Sequence, residues 1–393
     1  MLIGILGKPN VGKSTFFKAC TLANVEIGNR PFVTIRPNHG MGYVKVDCID
    51  LELKTQCQPR EGFCINHIRF VPVELMDVAG LVSGASQGKG LGNQFLDDLR
   101  QADAFIQIVD ASGTTDESGK QTTNYYPGKD IEMIEQELDF WYSGILKKVW
   151  KTFSRQVEAS KQNFIQAVEK QFSGLKVNEN QIKETILKTQ LNPEKPASWT
   201  EQEIFNFARE LRKISKPMII AANKSDLANS KENIEKMKKE FPKLIIIPCS
   251  ADSELALREA SKAGLIDYIP GDSSFKLKKQ VNDKQKQALE LIKRNVLDIY
   301  GNTGVQQILN HAVFQLLQYV AIFPAGSKLT DSKGNVLPDC FLMPPGTTAL
   351  DFAFKLHQDL GKGFIKAIDV RTKKAVGKDY KLKNRDGIEI IAR

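Results

Sequence analysis

Five apolar runs, at residues 2–6, 70–76, 104–109, 217–222 and 244–247, end in glycine or polar loops and alternate with stretches of helical periodicity. Short buried strands separated by helices predict a mostly parallel α/β sheet. Between the third and fourth runs, residues 112–215 carry almost no strand signal. Across 131–171, Ile134, Leu138, Trp141, Ile145, Val149 and Phe153 recur at helical spacing among charges, and Pro193 and Pro196 close a further helix. A helical insert between two sheet strands follows, with charge pairs that read as a solvated face. Residues 274–318 are helical and rich in Lys and Gln; beyond them the pattern changes. Short strands at 319–323, 365–369 and 387–391 flank a helix at 349–360, after the turn residues Pro344, Pro345 and Gly346. The predicted organisation is a sheet domain at 1–111 and 216–273, an inserted helical domain at 112–215, a helical connector at 274–317 and a small α+β domain at 318–393.

Length and composition add limits. A chain of 393 residues, 41% hydrophobic and 26% charged, is long enough for two or three globular domains and is neither disordered nor fibrous. The long uncharged stretch at 301–327 is interrupted by Asn302, Gln306, Gln307, Asn310, Gln315 and Gln318, which argues against a membrane span. Met1 to Leu6 lacks a basic leader and reads as a first strand, so a cytoplasmic location is expected. The six cysteines form no C-x-x-C pair and read as reduced thiols. Cys48, Cys57 and Cys64 lie near each other, but their spacing matches no zinc pattern. The net charge of +9 favours an anionic partner. Residues 318–393 hold 13 Lys/Arg against 8 Asp/Glu, and nine of the basic residues fall between Lys362 and Arg385.

The chemistry concentrates in ordered motifs. Gly7, Lys8, Pro9, Asn10, Val11, Gly12, Lys13 and Ser14 spell G-x-x-x-x-G-K-S between an apolar strand and a helix, with Thr15 following. Such a loop wraps backbone N–H groups around phosphates; Lys13 reaches the β and γ oxygens and Ser14 binds Mg²⁺. Asp77-Val78-Ala79-Gly80 closes a strand, placing a carboxylate beside the metal and the Gly80 N–H near the γ-phosphate. Thr34 is a candidate second hydroxyl ligand of Mg²⁺, favoured over the alternative of an ordinary turn threonine. Asn223-Lys224-Ser225-Asp226 follows another buried strand. Asp226 can accept from the adjacent N1–H and N2–H₂ of guanine, whereas adenine offers an acceptor at N1. Asn223 would brace the loops, the Lys224 stem would cover the base, and Ser250-Ala251 would aim a backbone N–H at O6. Taken alone, N-K-S-D also suits a polar loop; its place in the ordered series favours GTP and GDP. A phosphate-transferring kinase would need an acceptor site and a lid arginine pattern that are not found.

With these motifs, and with the segments 29–38, 77–85, 88–93 and 95–98, the chain resembles the YchF branch of the Obg-type translation-associated GTPases. The resemblance implies a Ras-like P-loop domain, an inserted coiled-coil-like helical domain and a C-terminal TGS domain of β-grasp fold. Many members carry an N-x-x-E base motif and prefer ATP; here Asn223 and Asp226 are retained, which favours guanine. The resemblance also implies a partner in the ribosome or its RNA and a role in translational or stress control, with no DNA specificity. It places Asn10 where potassium-stimulated relatives hold a monovalent cation, which would add K⁺ to Mg²⁺ as a cofactor; a loop asparagine bracing its neighbours is the equal alternative. Leu81 stands where Ras-like enzymes carry the water-orienting glutamine, which predicts slow intrinsic turnover. Lys373, Lys374, Lys378, Lys381 and Lys383 are candidate RNA-phosphate contacts or merely a solvated face. A nucleotide-gated tether with vestigial hydrolysis fits the same residues.

Overall fold

The computed structural model describes residues 1–22, 39–78, 80, 84, 99–326, 329–331 and 333–393. Thr34 and Leu81 lie outside them.

The uninterrupted apolar runs become the central strands. β1 (Leu2–Leu6), β5 (Ala104–Asp110) and β6 (Met218–Asn223) are buried at every position, as expected of parallel strands covered on both faces. The seven-stranded sheet has the order β2-β4-β1-β5-β6-β7, with β3 (Phe63–Ile65) also pairing with β4 (Ile68–Asp77). β1, β4, β5, β6 and β7 (Ile245–Pro248) run parallel. β2 (His39–Asp47) is antiparallel and was not expected. Its start, His39-Gly40-Met41-Gly42, gives no apolar alternation, because Gly40 and Gly42 are where neighbours crowd the backbone. A Cβ on Gly42 would lie 2.7 Å from Leu75 Cδ1.

Helix α1 (Lys13–Thr21) follows β1. The region between β5 and β6 is helical, as its periodicity predicts: α2 (Gly128–Ser160), α3 (Phe164–Gln171), α4 (Glu179–Thr189) and α5 (Glu201–Ser215). Capping boxes at Asn178/Gln181 and Thr200/Glu203 satisfy the first amides of α4 and α5. Ile131, Ile134 and Leu138 of α2 and Phe207 and Leu211 of α5 join Phe105 and Val109 of the sheet in one apolar cluster. That cluster runs outward to Trp150, which stacks on Trp199 at 5.2 Å. Arg212 of α5 is buried between Glu135 and Asp139 of α2, 3.0 and 2.5 Å away, so the base of the insert is locked to itself.

Helix α6 (Ser230–Glu240) links β6 to β7, α7 (Ala251–Lys262) follows β7, and a two-residue pair, β8 (Ile266–Asp267) with β9 (Lys276–Leu277), comes next. The predicted continuous helix at 274–318 is in fact divided into α8 (Asp283–Ile292), a wider-wound continuation, and α9 (Val305–Asn310). The break comes at Gly301 and Gly304, with φ of 77° and 83°. A Cβ on Gly304 would sit 2.0 Å from the Pro248 carbonyl oxygen. Gly304→Ala is therefore expected to destabilise the protein by about 2–4 kcal/mol, read as a lower urea midpoint at unchanged slope.

The C-terminal sheet has the order β11-β10-β14-β12-β13, from β10 (Val320–Pro324), β11 (Phe341–Met343), β12 (Phe364–Asp369), β13 (Ala375–Val376) and β14 (Gly387–Ala392). Phe352 of α10 (Ala349–Leu356) plugs its core. The single helix expected at 349–360 ends early because His357 is extended and caps a second, α11 (Gln358–Lys362), by accepting the Asp359 N–H. This unit shares its packing with the main sheet. Phe323, Ala325, Leu337 and Val370 belong to the same apolar cluster as Val44, Ile49 and Val71. Buried Arg69 donates to the Leu337 carbonyl at 2.9 Å.

Candidate nucleotide-binding site

The C-terminal ends of parallel strands deliver every described motif to one edge of the sheet. β1 runs into the phosphate loop, whose left-handed Asn10 (φ 63°) and Gly12 (φ 94°) turn the backbone into α1. Gly12 has no space for a side chain, since a Cβ would lie 2.3 Å from Asn223 Nδ2. Lys13 Nζ donates to the Lys8 carbonyl at 2.7 Å, across the loop mouth. Burial pulls the Lys13 ammonium below its ordinary pKa, with Asp77 opposing.

Ser14 Oγ lies 3.2 Å from Asp77 Oδ2 at the end of β4. Burial raises the Asp77 carboxyl above its ordinary value, against the Ser14 hydrogen bond and the Lys13 charge. A hydroxyl and a carboxylate converging beside a phosphate-binding lysine are hard oxygen donors of the kind Mg²⁺ takes, so these residues fit that ion. Gly80 lies against the loop as well; a Cβ there would be 3.0 Å from Pro9 Cγ.

The base motif is tied to the phosphate loop by one side chain. Asn223 Nδ2 donates to the Val11 carbonyl at 2.8 Å, and Asn223 Oδ1 accepts the Ala251 N–H at 3.0 Å. Asp226 is half-buried and its Oδ1 accepts from Ser250 Oγ at 2.8 Å, which fixes the carboxylate's direction. The Ser250 and Ala251 N–H groups, the donors expected to face O6, both have protein partners. The Ser250 N–H goes to the Thr303 carbonyl at 2.9 Å and the Ala251 N–H to Asn223, so both are engaged inside the protein.

Three placements were not legible. Lys224 Nζ pairs with Asp110 Oδ2 at 2.8 Å, clamping the base motif to β5. Burial alone would raise the Asp110 carboxyl, but bonds from Lys224 and Ser112 outweigh it and hold it below its ordinary value. The available signal was Asp110 itself, an acid closing a parallel strand as Asp77 does. Lys8 turns away from the loop mouth: its side chain is fully buried, 2.8 Å from Asp130, and donates to the Thr115 carbonyl. Lys8 thus meets the site through its backbone. Asn10 Nδ2 donates to the Gly119 carbonyl at 2.9 Å, joining the loop to the segment after β5. Thr15 is half-buried in the first turn of α1.

Residues 2–137 match the model of the 50S ribosome-binding GTPases, residues 221–326 the G4 motif-containing domain of Obg-like GTPases of the YGR210 type, and residues 320–392 the TGS domain. A GTP-binding protein of Methanocaldococcus jannaschii is 49% identical over 393 residues, covering 100% of this chain and 99% of that one. The chain belongs to the YchF/Obg-like GTPase family.

Within that family, the ribosome-binding ATPase YchF of Bacillus subtilis is 31% identical, covering 93% of this chain and 87% of its own. The crystal structure of a GTP-binding protein from Pyrococcus horikoshii matches all of both chains with a TM-score of 0.82 at 41% identity. The YchF GTPase of Schizosaccharomyces pombe, at 19% identity and a TM-score of 0.59, shares the fold. The YchF-type architecture is thus a P-loop domain with a mostly parallel sheet, a helical region and a C-terminal TGS domain, and its activity class is nucleotide hydrolysis. Among the described residues, no helix is long and apolar enough to cross a membrane.

Proposed function

We propose that the protein is a Mg²⁺-dependent GTP hydrolase working as a slow switch on the ribosome in the cytoplasm. The observation that carries the GTP reading is Asp226, oriented by Ser250 at 2.8 Å beside an Asn223 that bridges to the phosphate loop. A carboxylate held this way accepts the two adjacent guanine donors and leaves adenine N1 facing an acceptor. Ser14 and Asp77 would hold Mg²⁺, which neutralises charge on the β and γ phosphates. Lys13 adds a fixed positive charge at the same oxygens, and Gly80 offers a backbone N–H. Asn10, its amide oriented by Gly119, is assigned the monovalent-cation role, with K⁺ as the ion.

No polar side chain at Leu81 orients water, so intrinsic turnover is expected on the order of 10⁻⁴ to 10⁻³ s⁻¹, as in Ras without its activator. Phosphate release from GTP, measured with and without ribosomes, tests the switch. Slow release accelerated by ribosomes supports it; negligible release under both conditions favours a nucleotide-gated tether.

The ribosome reading draws on the B. subtilis relative's name and on Lys373, Lys374, Lys378, Lys381 and Lys383, all solvent-exposed on one domain. Because that domain shares a core with the main sheet, its deletion would uncover apolar surface, and point substitution is the cleaner probe. Changing these five lysines to Gln should weaken ribosome co-sedimentation and flatten its salt dependence, by roughly one unit of log–log slope for each RNA phosphate that a lysine had neutralised. GTP affinity should not change. An unaltered salt slope would place the RNA-binding surface elsewhere on the protein.

A further inference from the structure

The three cysteines whose spacing suggested no metal pattern are brought together by the fold. Cys48 follows β2, Cys57 lies in the loop after it and Cys64 sits in β3, while Asp50 stands in the turn between the first two. The Sγ atoms of Cys48 and Cys57 are 3.6 Å apart, and Cys64 Sγ is 3.9 Å from Asp50 Oδ2. All four donor atoms lie within 4.8 Å of one another. Two thiolates on one tetrahedral Zn²⁺ are about 3.8 Å apart when each Zn–S bond is about 2.3 Å, and a thiolate and a carboxylate oxygen are about 3.5 Å apart. The Cys48–Cys57 and Cys64–Asp50 separations are close to those dimensions, and no pair of the four is more than 4.8 Å apart. The cysteines are free thiols, and 3.6 Å is far beyond a disulfide bond.

We propose that Cys48, Asp50, Cys57 and Cys64 form a structural Zn²⁺ site that fixes the 48–64 segment, the part of the sheet domain that contacts the C-terminal TGS domain. Three soft sulfur donors and one carboxylate select Zn²⁺ over Mg²⁺ or Ca²⁺, and four protein ligands close the coordination shell, as in structural sites. The surrounding groups suit this role. Asp50 is fully buried, and its Oδ1 meets His67 Nδ1 at 2.9 Å while its Oδ2 accepts the Cys57 N–H at 3.0 Å. His67 thereby orients the carboxylate from outside the ligand set. The turn that presents His67 has two left-handed residues, Asn66 and His67, and the His67 carbonyl accepts the Cys48 N–H at 2.8 Å. Cys48 and Cys57 are buried, and half-exposed Cys64 leaves an entry path for the ion.

The loop carrying these ligands is the loop that grips the TGS domain. Gln58 N–H donates to the Val336 carbonyl and Arg60 N–H to the Pro338 carbonyl, each at 2.8 Å, and Arg60 reaches Asp331 and Asp339 at 3.2 Å. Ile49 and Cys57 already pack into the main apolar cluster, and a metal cross-link among the ligands adds a second constraint on the irregular segment between them. Binding converts three thiols to thiolates and releases their protons to solvent.

The test uses the full chain purified under reducing conditions, with metal content measured by plasma mass spectrometry. About one equivalent of Zn²⁺ per chain is expected. Replacement by Co²⁺ should give intense thiolate-to-metal absorption in the near ultraviolet and visible d–d bands of tetrahedral intensity. Cys57→Ser should lose both, whereas Cys20→Ser and Cys249→Ser, at buried cysteines outside the cluster, should keep both. Stripping the wild-type metal with a strong chelator should lower the melting temperature, and added Zn²⁺ should restore it. Because the Co²⁺ spectrum is read on the wild type, misfolding of Cys57→Ser leaves the test intact. Absence of bound Zn²⁺ together with no thiolate–Co²⁺ band would overturn the site.

Discussion

Lys13→Ala is expected to lower nucleoside triphosphate hydrolysis by about 10²- to 10³-fold, the usual effect of removing one fixed donor from the oxygens where charge develops. The Lys13 side chain is buried, yet its ammonium stands over the Lys8 carbonyl at the loop mouth, beside Asp77. Alanine removes that charge without altering Gly12 or Asn223, the residues that shape the loop. The fold should therefore survive, with an unchanged circular dichroism spectrum and urea midpoint. Single-turnover phosphate release, with nucleotide bound to saturation, separates the chemical step from affinity. A loss confined to affinity, with the saturated rate intact, would remove Lys13 from the catalytic machinery.

Asp226→Asn is expected to weaken GTP binding by about 1–3 kcal/mol, roughly 5- to 150-fold, while xanthosine triphosphate becomes tolerated. Asparagine offers one acceptor where guanine needs two, and its amide N–H₂ faces the donors of the base. Xanthine presents a carbonyl at C2, which that amide can meet. Ser250 keeps a partner in either variant, so the loop geometry is preserved and the change is local. Titration of both nucleotides against wild type and variant reads the exchange. Equal GTP affinity in the two proteins would mean that Asp226 does not touch the base.

The sheet and its site were legible because the physics behind them is local. Runs such as Leu2–Leu6 and Met218–Asn223 are buried on both faces, and the loop residues after them have special backbone or donor requirements that few sequences meet by chance. β2 was hidden because Gly40 and Gly42 answer to Phe17 and Leu75 across the packing, which periodicity does not register. The break at Gly304 has the same origin, a carbonyl of Pro248 that is distant in sequence. The direction of Lys8 into Asp130 and the capture of Lys224 by Asp110 are likewise set by pairs more than a hundred residues apart. Cys48, Cys57 and Cys64 carried no recognisable spacing because a strand end, a loop and a second strand deliver them separately. The shared core of Phe323, Leu337 and Val370 with Ile49 and Val71 depends on packing between the two ends of the chain, and the sequence pattern showed only that each segment had an apolar face to bury.

The selection of guanine by Asp226 is tested most directly on the unaltered protein, by competing GTP against ATP for the Mg²⁺-loaded site and fitting both dissociation constants. A preference for GTP of about 100-fold or more is expected from a carboxylate that pairs with one base and is left facing an acceptor on the other. Equal affinities, or tighter binding of ATP, would contradict it.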